Sequence, residues 1–322
     1  MPTSTAPKTL PNSWLILHPL LATLLALIPA IAGAHALFAG ILLAVAFKQP
    51  LPAPLKPWNS RLLGLAIVLL GAGTPLQAVL EHGAQGLGIS ALLIALILAA
   101  GAIAGRALRV DAPIRTLISS GTAICGGSAI AATGPAIGAG SESMGVAIAV
   151  VFLLNAVSVL FFPALGHALH LSPQEFGRFA ALAIHDTSSV LAASVAFGGG
   201  AELTAVPMKL ARALWIVPTA AILGYINRRT TKQEAATQPP LLPWFIPAFV
   251  AVAVIFSATD ALQVWGQPVA TLGKRLLVGT LFLIGNSITR ETLRRTGLRP
   301  LLLGVLLWGF AIVAAYDFLR FS

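Results

Sequence analysis

Residues 121–135, Gly-Thr-Ala-Ile-Cys-Gly-Gly-Ser-Ala-Ile-Ala-Ala-Thr-Gly-Pro, constrain what this chain can fold into more than any other stretch. They lie inside an apolar, membrane-length segment of about 117–137, yet glycine, hydroxyl residues and a proline crowd it. Glycine costs roughly 1 kcal/mol and proline roughly 3 kcal/mol relative to alanine in a helix interior. A helix broken in hydrocarbon strands backbone N–H and C=O groups, which is tolerated only where protein covers them or a water-filled cavity solvates them. Secondary transporters use interrupted segments of this kind to build a substrate site near the bilayer midplane. Small residues also let helices pack closely in membranes. Packing, however, needs one small face, and here small residues occupy every face before Pro135. The segment therefore reads as a functional break.

The rest of the chain is consistent with a membrane setting. Of its 322 residues, 57% are hydrophobic and 9% charged, against roughly 25% charged in soluble domains. The expected class is an all-α polytopic membrane protein, one transmembrane domain over residues 1–322, with no separate soluble part. The first apolar segment reads as a retained span, because no small-residue cleavage site precedes a soluble sequence. The net charge of +10 does not imply nucleic acid. The basic residues fall in short loops between apolar runs, without interleaved aromatics, and suit anionic headgroups of the lipid bilayer. A single cysteine, Cys125, excludes an intrachain disulfide and any multi-cysteine metal site.

Apolar runs predict about eleven spans, near 14–33, 34–47, 62–80, 87–105, 117–137, 144–165, 177–197, 204–226, 243–260, 271–288 and 300–318. The second is short for a full crossing. Lys48, Lys56 and Arg61 precede span three, Arg106, Arg109 and Arg115 precede span five, Arg228, Arg229 and Lys232 follow span eight, and Arg290, Arg294, Arg295 and Arg299 separate the last two. The loops 81–87, 138–143 and 198–203 carry no Lys or Arg. The positive-inside rule then places the N-terminus in the cytoplasm and the C-terminus outside. Lys274 and Arg275 fall on the outer side and count against this scheme. A faint internal repeat lays residues 121–130 over 279–288, matching Gly, Thr, Gly and Ile, with Ser128 or Asn286 after the second Gly. An offset of five spans reverses direction, so spans 2–6 (about 34–165) and 7–11 (about 177–318) form an inverted pair. On this reading spans five and ten are both interrupted, near Cys125–Ser128 and Ile284–Ser287.

Span seven holds Ala183-Ile184-His185-Asp186-Thr187-Ser188-Ser189-Val190. An ionised carboxylate at mid-depth is costly unless paired or solvated, so intramembrane ionisable residues mark pathways, ion sites or proton relays. Neighbouring helical residues point about 100° apart, so Asp186 or His185 would share a face with Ser189 rather than with each other. The plain alternative is a structural interhelical hydrogen bond, which also serves for Asn155 in span six, for Thr74 and Gln77 in span three, and for Asn286 and Ser287 in span ten. Asn155 and Asn286 gain interest from following, and matching, the Gly-rich break. Glu142, Glu202 and Asp260 read as membrane-boundary residues, and His18 and His35 as interfacial. No H-E-x-x-H, G-x-S-x-G or phosphate-binding Walker loop occurs, and one His–Asp pair is too few ligands for a metal. An enzyme, a cofactor and a resident metal are not expected.

The pair 121–135 and 183–194 resembles the YeiH-type family, bacterial inner-membrane proteins labelled as sulfate exporters, which carry a G-T-x-I-C-G-x-S-A-I-A-A motif and a later I-H-[DE] motif. The family is grouped near bile-acid/sodium symporters and cation/proton antiporters. The resemblance implies an extra N-terminal span followed by two inverted five-helix repeats with crossed discontinuous helices, at spans five and ten here. Two departures, Thr133-Gly134 before Pro135 and serines where the family often has Gln, bear on the substrate contacts. The implied function is secondary transport of a small inorganic or organic anion by alternating access, coupled to a proton or sodium, in the inner (plasma) membrane, with a homodimer by family analogy. Thr122, Cys125, Gly126, Gly127, Ser128, Gly285, Asn286 and Ser287 are the expected substrate residues. His185, Asp186, Ser189 and Asn155 are the expected coupling-ion residues. With no Lys or Arg expected at mid-depth, neutral donors and helix N-termini would hold the anion. A cation/proton antiporter with Asp186 and Asn155 binding the cation is the rival reading, and an intramembrane enzyme using His185 and Asp186 a distant third.

Overall fold

The computed structural model describes residues 13–28, 33–46, 51–52, 54–231, 244–288 and 297–321. The regular structure among them is helical. Its elements are α1 (Ser13–Leu27), α2 (Gly33–Ala46), α3 (Leu55–Gly71), α4 (Leu76–Ala107), α5 (Ala112–Ala123), α6 (Gly127–Ala136), α7 (Ser141–Ala168), α8 (Pro173–Ala183), α9 (Thr187–Phe197), α10 (Glu202–Ala213), α11 (Ile216–Thr231), α12 (Phe245–Ser257), α13 (Asp260–Asn286) and α14 (Leu298–Phe321). Among the described residues, five helical segments are long and apolar enough to cross a membrane: Leu76–Ala107, Glu142–Ala168, Glu202–Asn227, Asp260–Asn286 and Leu298–Arg320. Each apolar run of the sequence falls on a helix or a helix pair. Thr74 and Gln77, however, lie outside α3, in the turn after it and in the first turn of α4.

The break in the Gly-rich segment falls at residues 124–126, between α5 and α6. Gly126 takes φ +68°, a left-handed conformation that disfavours any side chain. The second break differs from the expected one. Span ten is uninterrupted, since residues 271–286 are the continuous end of α13. Span seven is the one that breaks, at residues 184–186, between α8 and α9. The Gly/Thr match at 279–288 has another cause. Gly279 and Gly285 lie where a Cβ would sit 3.0 Å from the Ala22 carbonyl oxygen and 2.1 Å from that of Leu37. These glycines admit α1 and α2 against α13, as small residues do in membranes.

Nor do the broken segments cross as discontinuous spans. Each folds back on itself. The rings of Phe176, near the start of α8, and Phe197, at the end of α9, stack with centroids 4.0 Å apart. A straight path between them would be about 30 Å long. A Cβ on Gly199 would meet the Pro173 ring at 2.5 Å, and one on Gly177 the Ala201 carbonyl at 2.6 Å. The capping box of Ser172 and Glu175 starts this hairpin, and hydrogen bonds from the Ser172 hydroxyl and backbone N–H hold the Glu175 carboxyl below its ordinary pKa. In the first hairpin a Cβ on Gly121 would lie 3.0 Å from the Ile130 side chain, against about 13 Å along an unbroken helix.

The two hairpins lie along α10–α11 in opposite directions. The base of α8–α9 sits where α10 begins, near Glu202 and His82. The base of α5–α6 sits where α11 ends, with Asn227 Nδ2 donating to the Ile137 carbonyl at 2.9 Å. One end of the molecule, here called the Arg109 end, therefore carries the base of the first hairpin. The opposite, Glu202 end carries the base of the second. Around them, α4–α11 and α14 form one bundle, and α1, α2, α3, α12 and α13 form another, with sparse contacts between the two.

Candidate functional site

The tips of the hairpins meet beside α7. A Cβ on Gly126 would lie 3.4 Å from Asp186 Cβ and 3.7 Å from Asn155 Nδ2. Four helix ends converge here, and each end carries unpaired backbone groups and a partial charge. Lys209 and Arg212, on one face of α10 at 0% and 1% exposure, serve the two C-terminal ends. Lys209 Nζ donates to the carbonyls of Ile184 (2.6 Å) and Ala181 (3.3 Å) at the end of α8. Arg212 bridges both hairpins. Its Nε donates to the Ala123 carbonyl at 2.7 Å, one terminal nitrogen donates to Leu182 at 2.5 Å, and the other donates to Ala123. Cations at helix C-termini oppose the negative dipole end, and the bonds satisfy carbonyls that a broken helix would otherwise strand.

Asp186 serves the N-terminal end of α9. Its carboxylate accepts from the Ser188 hydroxyl, from the Ser189 backbone N–H at 3.3 Å and from the Ser189 hydroxyl at 3.4 Å. The Asp186 backbone N–H donates to Asn155 Oδ1 at 3.3 Å, which fixes the orientation of that amide. Asn155 Nδ2 is buried and has no partner among the described residues. The fourth end, the N-terminus of α6, has Gly126 in the capping position and no side-chain cap. The N–H groups of Gly127 and Ser128 precede the first possible intrahelical acceptor.

A cavity of about 570 Å³ opens onto this point. Gly127, Ser128, Asn155, Asp186, Ser188 and Ser189 line it from one bundle, and α2, α3 and the end of α13 line it from the other, including Asn59, Ile284 and Ser287. Of the residues expected to bind substrate, Gly127, Ser128 and Ser287 reach the cavity and Gly126 adjoins it. Thr122 and Cys125 are buried behind it, and the Thr122 carbonyl lies 3.5 Å from Arg212. Gly285 and Asn286 are not brought to the cavity. They pack on α2, where Asn286 Nδ2 donates to the Gly40 carbonyl at 3.4 Å. Of the expected coupling residues, Asp186, Ser189 and Asn155 line the cavity. His185 points away, 6.2 Å from the Trp308 ring, and its ring nitrogens have no partner among the described residues.

The expectation that no Lys or Arg stands at mid-depth is corrected by Lys209 and Arg212. Their signal was a K-x-x-R spacing inside the eighth apolar run, of the same kind that drew attention to Asp186. Both cations are engaged with carbonyls, so neutral groups still form the cavity's own donor set.

These features define a polytopic helical membrane protein with two opposed hairpins and, between two bundles, a largely apolar cavity with polar groups at the hairpin tips. The chain belongs to the family described as conserved hypothetical protein 698, whose model matches residues 14–304. It is 43% identical over 288 residues to a UPF0324 membrane protein of Bdellovibrio bacteriovorus, covering 89% of each chain. To a UPF0324 membrane protein of Vibrio parahaemolyticus it is 41% identical, covering 89% of this chain and 93% of that one. Among solved structures it matches the sodium proton antiporter MjNhaP1 from Methanocaldococcus jannaschii at pH 8, with 14% identity, a TM-score of 0.25, and 92% and 98% of the two chains covered. A score that low bears on neither fold nor mechanism.

Proposed function

We propose that the protein is a secondary transporter that carries a small anion (sulfate, a sulfonate or an organic acid) by alternating access. One observation carries this reading: among the described residues the α6 N-terminus is the helix end at the hairpin tips whose capping residue makes no side-chain bond, and it faces a cavity beside Asn155 Nδ2, which has no partner there. Helix N-termini attract anions through their N–H groups and dipole. The Ser128 hydroxyl and Asn155 Nδ2 would add two donors, and Gly127 would let the anion approach the backbone. Lys209 and Arg212 lie behind the tips and raise the local potential without occupying the site.

Asp186 would couple the cycle. Its carboxylate caps α9 and holds the two serine hydroxyls at the cavity wall, where it meets a proton or a sodium ion entering the cavity. The rival reading, a cation/proton antiporter, draws on the same carboxylate at the cavity wall. Against it, Asn155 Oδ1 already accepts from the Asp186 N–H and keeps one lone pair, while its Nδ2 has no partner among the described residues, so the amide's unused capacity is mainly that of a donor. The described helix ends that flank the basic connections, the starts of α3 and α5 and the end of α11, lie at the Arg109 end, while Lys48, Lys232, Arg290, Arg294 and Arg295 lie outside the described residues. Both hairpins fold back, so their reversals cancel, and that end is cytoplasmic by the positive-inside rule. The C-terminus would then lie in the periplasm.

Equilibrium binding of radiolabelled sulfate and of competing sulfonates and organic acids to the purified protein tests the site. Ser128→Ala is expected to weaken binding of the accepted anion by the ~0.5–1.5 kcal/mol of one hydrogen bond, about 2- to 12-fold. Unchanged affinity in Ser128→Ala and in Gly127→Leu would remove the α6 N-terminus from the site.

A further inference from the structure

The large cavity occupies only one part of the seam between the two bundles. A second cavity of about 250 Å³ lies on the same seam, lined by Gly73, Thr74, Glu202, Leu203, Gln267 and Lys274 among others. On α13 the large cavity ends at Leu281 and the small one begins at Lys274, about 10 Å further along the helix. Between them Ala66, Ile67 and Leu277 are buried. Among the described residues the seam therefore reads as a path that is open from the Arg109 end to the hairpin tips and shut from there to the Glu202 end.

At the shut end the Lys274 ammonium stands 2.6 Å from a Glu202 carboxylate oxygen, with the side chains 32% and 10% exposed. It is the one ion pair among the described residues. It also joins the two bundles directly, since Glu202 begins α10 and Lys274 lies within α13. Few other contacts connect the bundles, and partial burial leaves the pair weakly screened. Glu202 also sits one residue beyond the base of the second hairpin, so movement of that hairpin relative to α13 would stretch the pair first.

We propose that Glu202 and Lys274 form a latch that closes the Glu202 end of the transport path. Its release would let the bundles part there and close over the large cavity. The proposal rests on the transport reading only in naming the seam a path. The accessibility change it requires is independent of what is carried.

The test reads that accessibility without any flux. In a Cys125→Ala background, single cysteines replace Ser128 in the large cavity and Thr74 in the small one, and a polar maleimide reports their labelling rates. In the parent, the cysteine at 128 should label fast and the one at 74 slowly. Glu202→Gln or Lys274→Gln should raise the rate at 74 about tenfold and lower that at 128, as expected for a population shift between two states. The exchanged pair Glu202→Lys with Lys274→Glu should restore the parent pattern. Unchanged rates in the single variants would overturn the latch. So would an exchanged pair that behaves like the singles, or a rise at both positions accompanied by a lower melting temperature, which would mark general loosening.

Discussion

Arg212 is the residue on which most of the site's backbone depends, because it is bonded to carbonyls of both hairpins. Arg212→Met keeps much of the volume and removes the donors. Each orphaned carbonyl then costs about 1–3 kcal/mol, so the variant should unfold at clearly lower temperature in detergent, with Arg212→Lys intermediate. A melting temperature equal to wild type would show that water can replace the guanidinium. Asp186 makes a different prediction. Asp186→Asn keeps an oxygen acceptor for the α9 cap but cannot cycle a charge. Counterflow exchange of the substrate should persist while accumulation driven by a pH gradient is lost. Wild-type pH-driven accumulation in Asp186→Asn would reduce the carboxylate to a helix cap. Among single residues the sequence was partly legible. A carboxylate in an apolar run is conspicuous because its charge needs an explanation, and Asp186 was found that way. Lys209 and Arg212 carry the same signal, but their partners are backbone carbonyls of other helices, and no side-chain pattern announces those.

The two hairpins show where reading from sequence succeeds and where it stops. Gly126 and Gly127 mark a break because glycine opposes helix continuation, and the interruption falls at residues 124–126. The course of the chain beyond a break is not written in those residues. Whether it continues across or returns depends on contacts such as Phe176 with Phe197 and Asn227 with Ile137, which join positions far apart in the chain. The Gly-Thr match points to span ten for a second break, but there the glycines serve helix packing. The second break of the structure lies at residues 184–186, a stretch conspicuous in the sequence for its polar residues. In the fold, a hairpin followed by a long helix occurs twice from opposite ends, as α5–α6 with α7 and as α8–α9 with α10–α11. The folding back has a direct consequence. Gly140, just before α7, shares the Arg109 end with the base of α5–α6, whereas a crossing span would place it at the opposite end. In oriented membrane vesicles, Gly140→Cys should react with an impermeant maleimide from the face that exposes Arg229. Labelling from the other face would restore the crossing topology.

For the molecule as a whole, the division into two lightly connected bundles puts the cavity where relative motion would switch its access. Composition and hydropathy set the membrane class, and the asymmetric loop charges carry the orientation proposed above, in which the loop 138–143, free of Lys and Arg, returns to the Arg109 end because α5–α6 folds back. Lys274 and Arg275, which ran against that orientation, are engaged with Glu202 and with the Ile28 carbonyl respectively. The bundle division was not legible, since it depends on which helices pack together. Everything proposed for the site depends on an anion moving through the cavity and resting on the α6 N-terminus. The decisive assay is saturable uptake by purified protein in liposomes, across a panel of sulfate, sulfonates, organic acids and sodium. At least one anion should be transported, and Gly127→Leu, folded and inserted normally, should abolish its uptake. Sodium–proton exchange with no anion flux, or anion flux untouched by Gly127→Leu, would refute the anion site.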